Sequence, residues 1–240
     1  YHNWRHAFDV TQTTHLLLLT LALDRYLTDL EILALVFAAA CHDVDHRGTN
    51  NSFQIQSKSE LAILYNDESV LENHHLAQGI KLLQDEECNI FINLSKKDFQ
   101  TLRDLVIEMI LATDMSLHFQ KEKRLKTMVE QKKTYMLDNQ THKILLMSLI
   151  MTAADLSNPT KSWSVHRRWA ELIMEEFFDQ GDLERELGLP PSPMCDRTSA
   201  YVPKSQIGFI DFIVEPIFKL LADVTEKDII PLLDRIEDNR

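Results

Sequence analysis

Apolar residues recur along most of the chain at intervals of three and four positions, which is the period of an α-helix. The clearest example runs through Leu102, Leu105, Val106, Met109 and Ile110. Two other stretches, 32–40 and 144–151, are apolar along almost their whole length, which is typical of helices buried in a core. The pattern therefore predicts a helical protein with at least two helices in its interior.

Local start and stop signals divide this pattern into separate helices. Ser69 and Ser95 each stand three residues before an acid, as in a capped helix N-terminus. Pro159 disfavours a helical residue before it, and Pro216 predicts a kink. The segments 49–68 and 132–139 are predicted to be irregular. The predicted helices cover residues 4–23, 28–41, 69–82, 95–113, 116–131, 142–155, 164–180, 205–221 and 225–237.

No segment has the alternating pattern of a β-strand, and no internal repeat is present. Only five glycines occur in the 240 residues, which leaves little material for tight hairpins. The Pro-rich stretch 189–193 is too short to separate two domains. We therefore predict that residues 1–240 form a single domain of the all-α class, a compact multi-helix bundle with irregular connections.

The formal net charge of −12 argues against a nucleic-acid-binding groove, which would need clustered basic residues. It does not exclude a phosphate substrate, because bound divalent cations dominate the field within a site. Cys41, Cys88 and Cys195 are widely spaced, so we expect a reducing, cytoplasmic location without disulfides. No apolar stretch reaches the roughly 20 residues that a membrane span requires.

Histidines and acids lie together in the octet 41–48, at the end of the apolar stretch 32–40. The octet is either a turn that happens to contain histidines or part of a metal site, and His42 and Asp43 are its first candidates. A buried carboxylate is costly unless it is paired or coordinated. Asp155 ends the second apolar stretch in the same way, and His2 and His6 are one helical turn apart.

His6, His42, Asp43 and Asp155 together form a nitrogen and oxygen ligand set supplied by three predicted helices. Such a set suits zinc or another borderline divalent cation and leaves coordination positions open for water. Further carboxylates would hold a harder ion, Mg²⁺ or Mn²⁺. Two ions that share one carboxylate give the clamp used in phosphoester hydrolysis.

Six motifs, in this order, make the chain similar to one known family. They are Tyr1-His2-Asn3 with His6-Ala7, 42–46 (HDVDH), 71–75 (LENHH), 112–115 (ATDM), 154–159 (ADLSNP) and 205–209 (SQIGF). The chain resembles the catalytic domain of class I cyclic nucleotide phosphodiesterases, within the HD-motif phosphohydrolases. The resemblance implies hydrolysis of cAMP or cGMP, or of both, to the 5′-monophosphate. Because that catalytic domain begins upstream of the first motif, we expect an N-terminal helical part, regulatory domains and dimer contacts elsewhere.

The same resemblance implies roles for the polar residues of these motifs. The four ligands above would hold a zinc-like ion, with Asp43 bridging to Mg²⁺ or Mn²⁺ and a bridging hydroxide as nucleophile. His2 would be the general acid that protonates the leaving O3′, which suits an imidazole. The side chains expected to hold metal-bound waters are His46, Glu72 and Thr113. Glu72 can also cap its helix, and for Asp45 and Asp114 we expect burial or structural hydrogen bonds.

The resemblance also places the purine between Phe209 and Ile173, with Gln206 hydrogen-bonded to its edge. An amide can present a donor and an acceptor to either adenine or guanine by flipping. Without the resemblance, Phe209 would simply be assigned to the core. Weaker candidates for the pocket wall are Tyr1, Met115, Asn158 and Met194.

The preferred nucleotide stays open at this point. The motifs 157–161, 174–178 and 192–196 look most like the cAMP-specific family. Residues 161–163 and His166 look more like the calmodulin-stimulated, dual-specificity family, since the cAMP-specific family has a tyrosine at the His166 position. Residues 1–4 and 46–51 are closer still to families with GAF domains. Two other functions compete: a non-catalytic helical module that binds nucleotide or a partner, and an HD phosphohydrolase that acts on nucleoside triphosphates.

Overall fold

The computed structural model describes residues 1–130, 139–225 and 229–240, and it contains no strand within these ranges. The predicted all-α fold is therefore confirmed. The helices are α1 (Trp4–Thr20), α2 (Asp29–Cys41), α3 (Asn51–Gln56), α4 (Glu60–Leu64), α5 (Val70–Leu82), α6 (Lys96–Leu111), α7 (Met115–Glu130), α8 (Gln140–Asp155), α9 (Trp163–Glu186), α10 (Val202–Phe209), α11 (Glu215–Thr225) and α12 (Ile230–Asp238).

The two apolar stretches of the sequence form the centre of the bundle. Helices α1, α2, α6 and α8 pack against one another, and α11 packs on α8. Every residue of α8 from Leu145 to Ala154 is buried, whereas α2 is only partly enclosed, with Leu33 on the surface. This packing brings the C-terminal ends of α2 and α8 next to the beginning of α1. The histidines and acids that follow the apolar stretches therefore meet at one end of the core.

Two of three helix starts that have an acid three residues after a serine or threonine are capped by local hydrogen bonds. Thr28 and Glu31 form a reciprocal capping box at the beginning of α2. Ser95 accepts a hydrogen bond from the backbone of Asp98 and so begins α6. These local contacts satisfy backbone N–H groups that have no partner within the helix.

The third start, at Ser69, is wrong as a capping box, although α5 does begin at Val70. Ser69 has a left-handed backbone with a φ of 39°, and its hydroxyl donates to Asp114 Oδ2 at 2.6 Å instead of capping. The side chain of Glu72 accepts from Asn51 Nδ2 at 2.9 Å. Partners distant in sequence thus replace the local hydrogen bonds that the Ser-x-x-Glu pattern suggests.

Several predicted boundaries are also wrong. The segment 49–68 contains α3 and α4, α9 continues to Glu186, and α1 stops at Thr20 before a short 3₁₀ turn, Leu23–Arg25. The predicted loop 132–139 lies outside the described residues except for Asn139, which caps α8. No helix in the described ranges combines the length and apolarity that crossing a bilayer requires.

The chain near Pro216 forms a π-helical turn, Ile210–Val214, between α10 and α11. Proline has no N–H to donate, and its ring clashes with the carbonyl four residues earlier. Widening the helix by one residue per turn relieves this conflict without ending the helix. The predicted kink is therefore a π turn, and it directly follows Phe209.

Candidate functional site

The four predicted metal ligands converge on one point at the end of the core. His6 lies near the start of α1, His42 and Asp43 follow α2, and Asp155 is the last residue of α8. His6 Nε2 lies 3.0 Å from Asp155 Oδ1 and 3.2 Å from both Asp43 Oδ2 and His42 Nε2. His42 Nε2 lies 3.0 Å from Asp43 Oδ2 and 3.2 Å from Asp155 Oδ1. Donors that bind one cation at roughly 2.0–2.2 Å are separated by about this distance.

The tautomer of His42 also fits a metal ligand. His42 Nδ1 donates to the carbonyl of Ala39 at 2.9 Å, which leaves the lone pair of Nε2 directed at the other three donors. Metal-binding histidines commonly donate their second ring nitrogen to such a partner. His6 is buried among aromatic rings, with the Tyr1 ring centroid 4.8 Å away. Both imidazoles are thus held in place before any ion binds.

The charges of His42, Asp43 and Asp155 shift one another's pKa values. Burial acts to lower the pKa of His42, but the charges of Asp43 and Asp155 outweigh it and raise the pKa well above its usual value. Burial acts to raise the pKa of each carboxylate, but the charge of His42 outweighs it and lowers both pKa values. Protons and a divalent cation would therefore compete for the same donors.

A second cluster of polar side chains shares Asp43 with the first. The donor atoms of Asp43, His46 and His75 lie within 4.8 Å of one another. His75 donates through Nδ1 to the carbonyl of Val44 at 2.7 Å, so its Nε2 faces Asp43. The sequence assigned no role to His75, and its only signal was the consecutive pair His74-His75. The position of Asp43 between two groups is the one that the expected bridging role requires.

His46 has the geometry of a water-binding side chain. The backbone N–H of Gly48 donates to His46 Nδ1 at 3.0 Å, so the neutral ring carries its proton on Nε2. Burial, reinforced by the positive charge of His2, lowers the pKa of His46 to about 3. A neutral imidazole with a free N–H can donate to a water but offers no lone pair to a metal on that side.

The other two predicted water-binding residues, Glu72 and Thr113, line one cavity together with Asp43 and His46. Burial raises the pKa of Glu72 to about 7, and the nearby charges of Asp114 and Asp43 act in the same direction. The hydroxyl of Thr113 donates to the carbonyl of Ile110, which leaves its lone pairs available. Asp114 accepts from Ser69 and from the backbone of Ser116, which is the structural role expected for it. Asp45 likewise accepts from His74 and Arg47.

His2 lies beside the candidate metal ligands and is held by Glu176, for which the sequence predicts no role. His2 Nδ1 lies 2.5 Å from Glu176 Oε1, and its ring stacks on His46 with centroids 4.1 Å apart. Burial acts to raise the pKa of Glu176, but the hydrogen bond and charge of His2 outweigh it and lower the pKa to about 2. Glu176 therefore stays ionised and accepts a hydrogen bond from Nδ1 of His2, whose Nε2 has no hydrogen-bond partner in the part of the chain that the structure describes.

One cavity of about 590 Å³ joins the metal ligands to the predicted purine pocket. This volume is typical of small-molecule sites. Asp43, Asp155 and His2 line one part of the cavity. All seven predicted pocket residues line it as well: Tyr1, Met115, Asn158, Ile173, Met194, Gln206 and Phe209.

The cavity wall also contains polar side chains that fix its shape. Asn158 Nδ2 donates to the Tyr1 hydroxyl at 2.8 Å, which ties the start of the chain to the turn after α8. His166 is only 3% exposed, and its Nδ1 has no hydrogen-bond partner among the described residues. A buried polar atom without a partner is costly, so this nitrogen is available to a ligand or to a neighbouring side chain.

Comparison with known proteins agrees with this geometry. The family model described as 3′5′-cyclic nucleotide phosphodiesterase matches residues 1–236. The chain is 58% identical over 240 residues to the human dual specificity calcium/calmodulin-dependent 3′,5′-cyclic nucleotide phosphodiesterase 1B. It is 58% identical over 234 residues to the same protein of Mus musculus. The human match covers 100% of this chain and the mouse match covers 98% of it. Each match covers 43% of the length of the relative.

A solved structure has the same fold over the whole chain. The phosphodiesterase domain of the RhoPDE fusion protein from the choanoflagellate Salpingoeca rosetta superposes with a TM-score of 0.94 at 38% sequence identity. The match covers 100% of this chain and 75% of that one. Matched along nearly its full length by the family model, by these relatives and by this fold, the chain belongs to the 3′,5′-cyclic nucleotide phosphodiesterase family.

Proposed function

We propose that this chain hydrolyses the 3′-phosphoester bond of cAMP, cGMP or both, and releases the 5′-monophosphate. The observation that carries the proposal is that the cavity with the purine-pocket residues also exposes Asp43, Asp155 and His2. A cyclic nucleotide with its base at Phe209 would therefore present its phosphate to the candidate ligands. The dual specificity stated in the names of the relatives supports both bases as substrates.

The donor set fits the expected cations. His6, His42, Asp43 and Asp155 suit Zn²⁺. Mg²⁺ or Mn²⁺, which binds mostly through water, would share Asp43 and lie toward the water-holding side chains of His46, Glu72 and Thr113. Divalent cations bound there supply a Lewis acid for the phosphate oxygens and lower the pKa of water.

The proton that leaves with the product comes from His2. Its Nδ1 proton is held by Glu176, so Nε2 is the atom that gives a proton to the departing O3′. Glu176 fixes the orientation of the ring, and His46 stacks on it. His46, Glu72 and Thr113 hold and orient water at the edge of the phosphate position.

Turnover of cAMP and cGMP, measured with Zn²⁺, Mg²⁺ and Mn²⁺ added singly and in pairs, tests this function. We expect hydrolysis of at least one cyclic nucleotide, dependent on added divalent cations. Nucleotide binding without hydrolysis would instead favour the non-catalytic module. Hydrolysis of nucleoside triphosphates with no action on cyclic nucleotides would favour the other HD phosphohydrolases.

Gln206→Ala tests the purine pocket. We expect KM to rise about ten-fold for both nucleotides, because the variant loses hydrogen bonds to the base edge. The metal content should equal that of the wild type, since the expected ligands are the imidazoles and carboxylates of His6, His42, Asp43 and Asp155, not the neutral amide of Gln206. An unchanged KM would place the base elsewhere in the cavity.

His166→Tyr tests the selection of the base. His166 lines the same cavity as Gln206 and has an unpartnered nitrogen, so it does not fix the amide in one orientation. A tyrosine hydroxyl would add a hydrogen bond that favours the adenine orientation, and a bond of this kind is worth about five-fold. We expect the ratio of kcat/KM for cAMP to that for cGMP to rise by about this factor. A constant ratio would exclude His166 as a determinant of specificity.

We further propose that residues 1–240 act as one catalytic domain and that the protein works in the cytoplasm. The three cysteines of the chain are free, which suits a reducing compartment. Calcium and calmodulin dependence is part of the names of the mammalian relatives. Regulatory domains and contacts between two copies are expected outside this segment.

A further inference from the structure

Helix α9 buries two polar side chains that touch none of the candidate metal ligands. Gln180 is 2% exposed and Glu184 is 0% exposed, and they are one helical turn apart. Gln180 Nε2 donates to Glu184 Oε1 at 3.0 Å. Burying an amide and a carboxylate is costly unless their hydrogen bonds are satisfied, so the partners of this pair indicate its role.

Glu184 holds the loop between α9 and α10. The backbone N–H and the hydroxyl of Ser192 both donate to its carboxylate, at 2.6 Å and 2.5 Å. Burial acts to raise the pKa of Glu184, but these hydrogen bonds outweigh it and lower the pKa, so the side chain is charged. Met194 follows two residues later, with a left-handed φ of 67°, and lines the cavity. We call residues 189–195 the entrance loop.

The entrance loop also rests directly on α9 at Gly181. A Cβ at this position would lie 1.9 Å from the carbonyl oxygen of Cys195, so only glycine permits the contact. Cys195 itself is buried. The loop that carries Met194 is therefore seated on the helix by close backbone packing and by the Glu184 carboxylate together.

Gln180 holds a second part of the cavity wall. Its Oε1 accepts a hydrogen bond from the backbone N–H of Asn50 at 2.8 Å. The next residue, Asn51, accepts from the backbone of Leu71 and donates to Glu72, each at 2.9 Å. Both asparagines line the cavity beside the metal ligands. We call residues 48–50, which lead into α3, the metal-side loop.

We propose that Gln180 and Glu184 are positioning residues that couple the entrance loop to the metal-side loop and so fix the width of the nucleotide cavity. The inference rests on the proposed function. A single face of α9 carries four residues at helical spacing: Ile173, Glu176, Gln180 and Glu184. This face lines the cavity at Ile173 and binds His2, the metal-side loop and the entrance loop through the other three. A change at either member of the pair is transmitted to the loop that the other member holds, through the hydrogen bond between them.

The experiment compares Glu184→Gln with Glu186→Gln, which removes an exposed charge from the same helix. We expect the KM of Glu184→Gln for cAMP and cGMP to rise about ten-fold, as for a lost hydrogen bond to a charged group. Amide hydrogen exchange should accelerate by about the same factor in both loops. Glu186→Gln should equal the wild type in both measurements.

Exchange in the metal-side loop is the decisive readout, because Glu184 does not touch Asn50. Acceleration confined to the entrance loop, or an unchanged KM, would overturn the coupling. If Glu184→Gln fails to fold, Ser192→Ala is the alternative, because it removes one hydrogen-bond donor to Glu184. This variant should also accelerate amide hydrogen exchange in both loops. Absence of turnover in the wild type and in Glu186→Gln would refute the proposed function, whereas the exchange measurement would still decide whether the loops are coupled.

Discussion

Asp155→Ala is expected to remove the bound metal and the hydrolytic activity together. Asp155 Oδ1 lies 3.0 Å from His6 Nε2 and 3.2 Å from His42 Nε2, so its loss opens one side of the donor set. Removing partners that only support a ligand costs 10-fold to 100-fold in affinity or activity, and removing a ligand itself should exceed about 100-fold. Metal content by elemental analysis and the rate of cAMP hydrolysis check this together.

The matched control for Asp155→Ala is Asp223→Ala, which deletes an exposed aspartate on α11. The control should keep the metal content and the rate of the wild type. Thermal unfolding of Asp155→Ala with and without added Zn²⁺ provides a second readout. A ligand that binds only the folded chain stabilises it in proportion to the logarithm of its concentration, so the wild type should gain more stability from Zn²⁺. Retention of both metal and activity would exclude Asp155 as a ligand.

His2→Ala is expected to lower kcat while the metal remains bound. His2 is not part of the group formed by His6, His42, Asp43 and Asp155. General acid catalysis contributes roughly 100-fold to 10,000-fold, and kcat should fall within this range. Single-turnover rates and elemental analysis of the same preparation separate this outcome from that of Asp155→Ala.

His15→Ala is the matched control for His2→Ala, because His15 is exposed on the same helix. A substrate with a better leaving group than the ribose oxygen adds a sharper criterion. Such a group needs less protonation as it departs, so the difference between His2→Ala and the wild type should shrink for this substrate. Wild-type turnover of cAMP by His2→Ala would contradict the general-acid role.

The bundle and the convergence of His42, Asp43 and Asp155 at one end of the core were predictable because short-range signals encode them. Two apolar helices end in His42-Asp43 and in Asp155. A few consecutive residues therefore indicate both that the helix is buried and that its end carries potential metal-binding side chains. Thr28 and Ser95 likewise cap their helices through residues three positions away. The pocket residues Phe209 and Gln206 depended on the family resemblance, since their spacing alone is that of an ordinary helix face.

The features that the sequence did not predict depend on distant partners. Glu176 meets His2 across 174 residues, and nothing near Glu176 distinguishes it from other acids on a helix surface. Ser69 has a left-handed backbone, and its hydroxyl accepts no hydrogen bond from the first N–H groups of α5 but donates to Asp114, 45 residues away. Gln180 and Glu184 would also be assigned to a solvated face of α9, yet loops from two other parts of the chain cover them.

The π turn at Ile210–Val214 acts as a one-residue insertion in an otherwise continuous helix. One extra residue rotates everything beyond it by about 100°, the angle between neighbours in an α-helix. A helical wheel drawn through residues 202–225 therefore assigns wrong faces on one side of the turn. Gln206 and Phe209 can face the cavity while Ile217 and Phe218 enter the core. A sequence alignment with a gap at this turn would thus separate relatives that keep the orientation of Gln206 and Phe209 toward the cavity from relatives that change it.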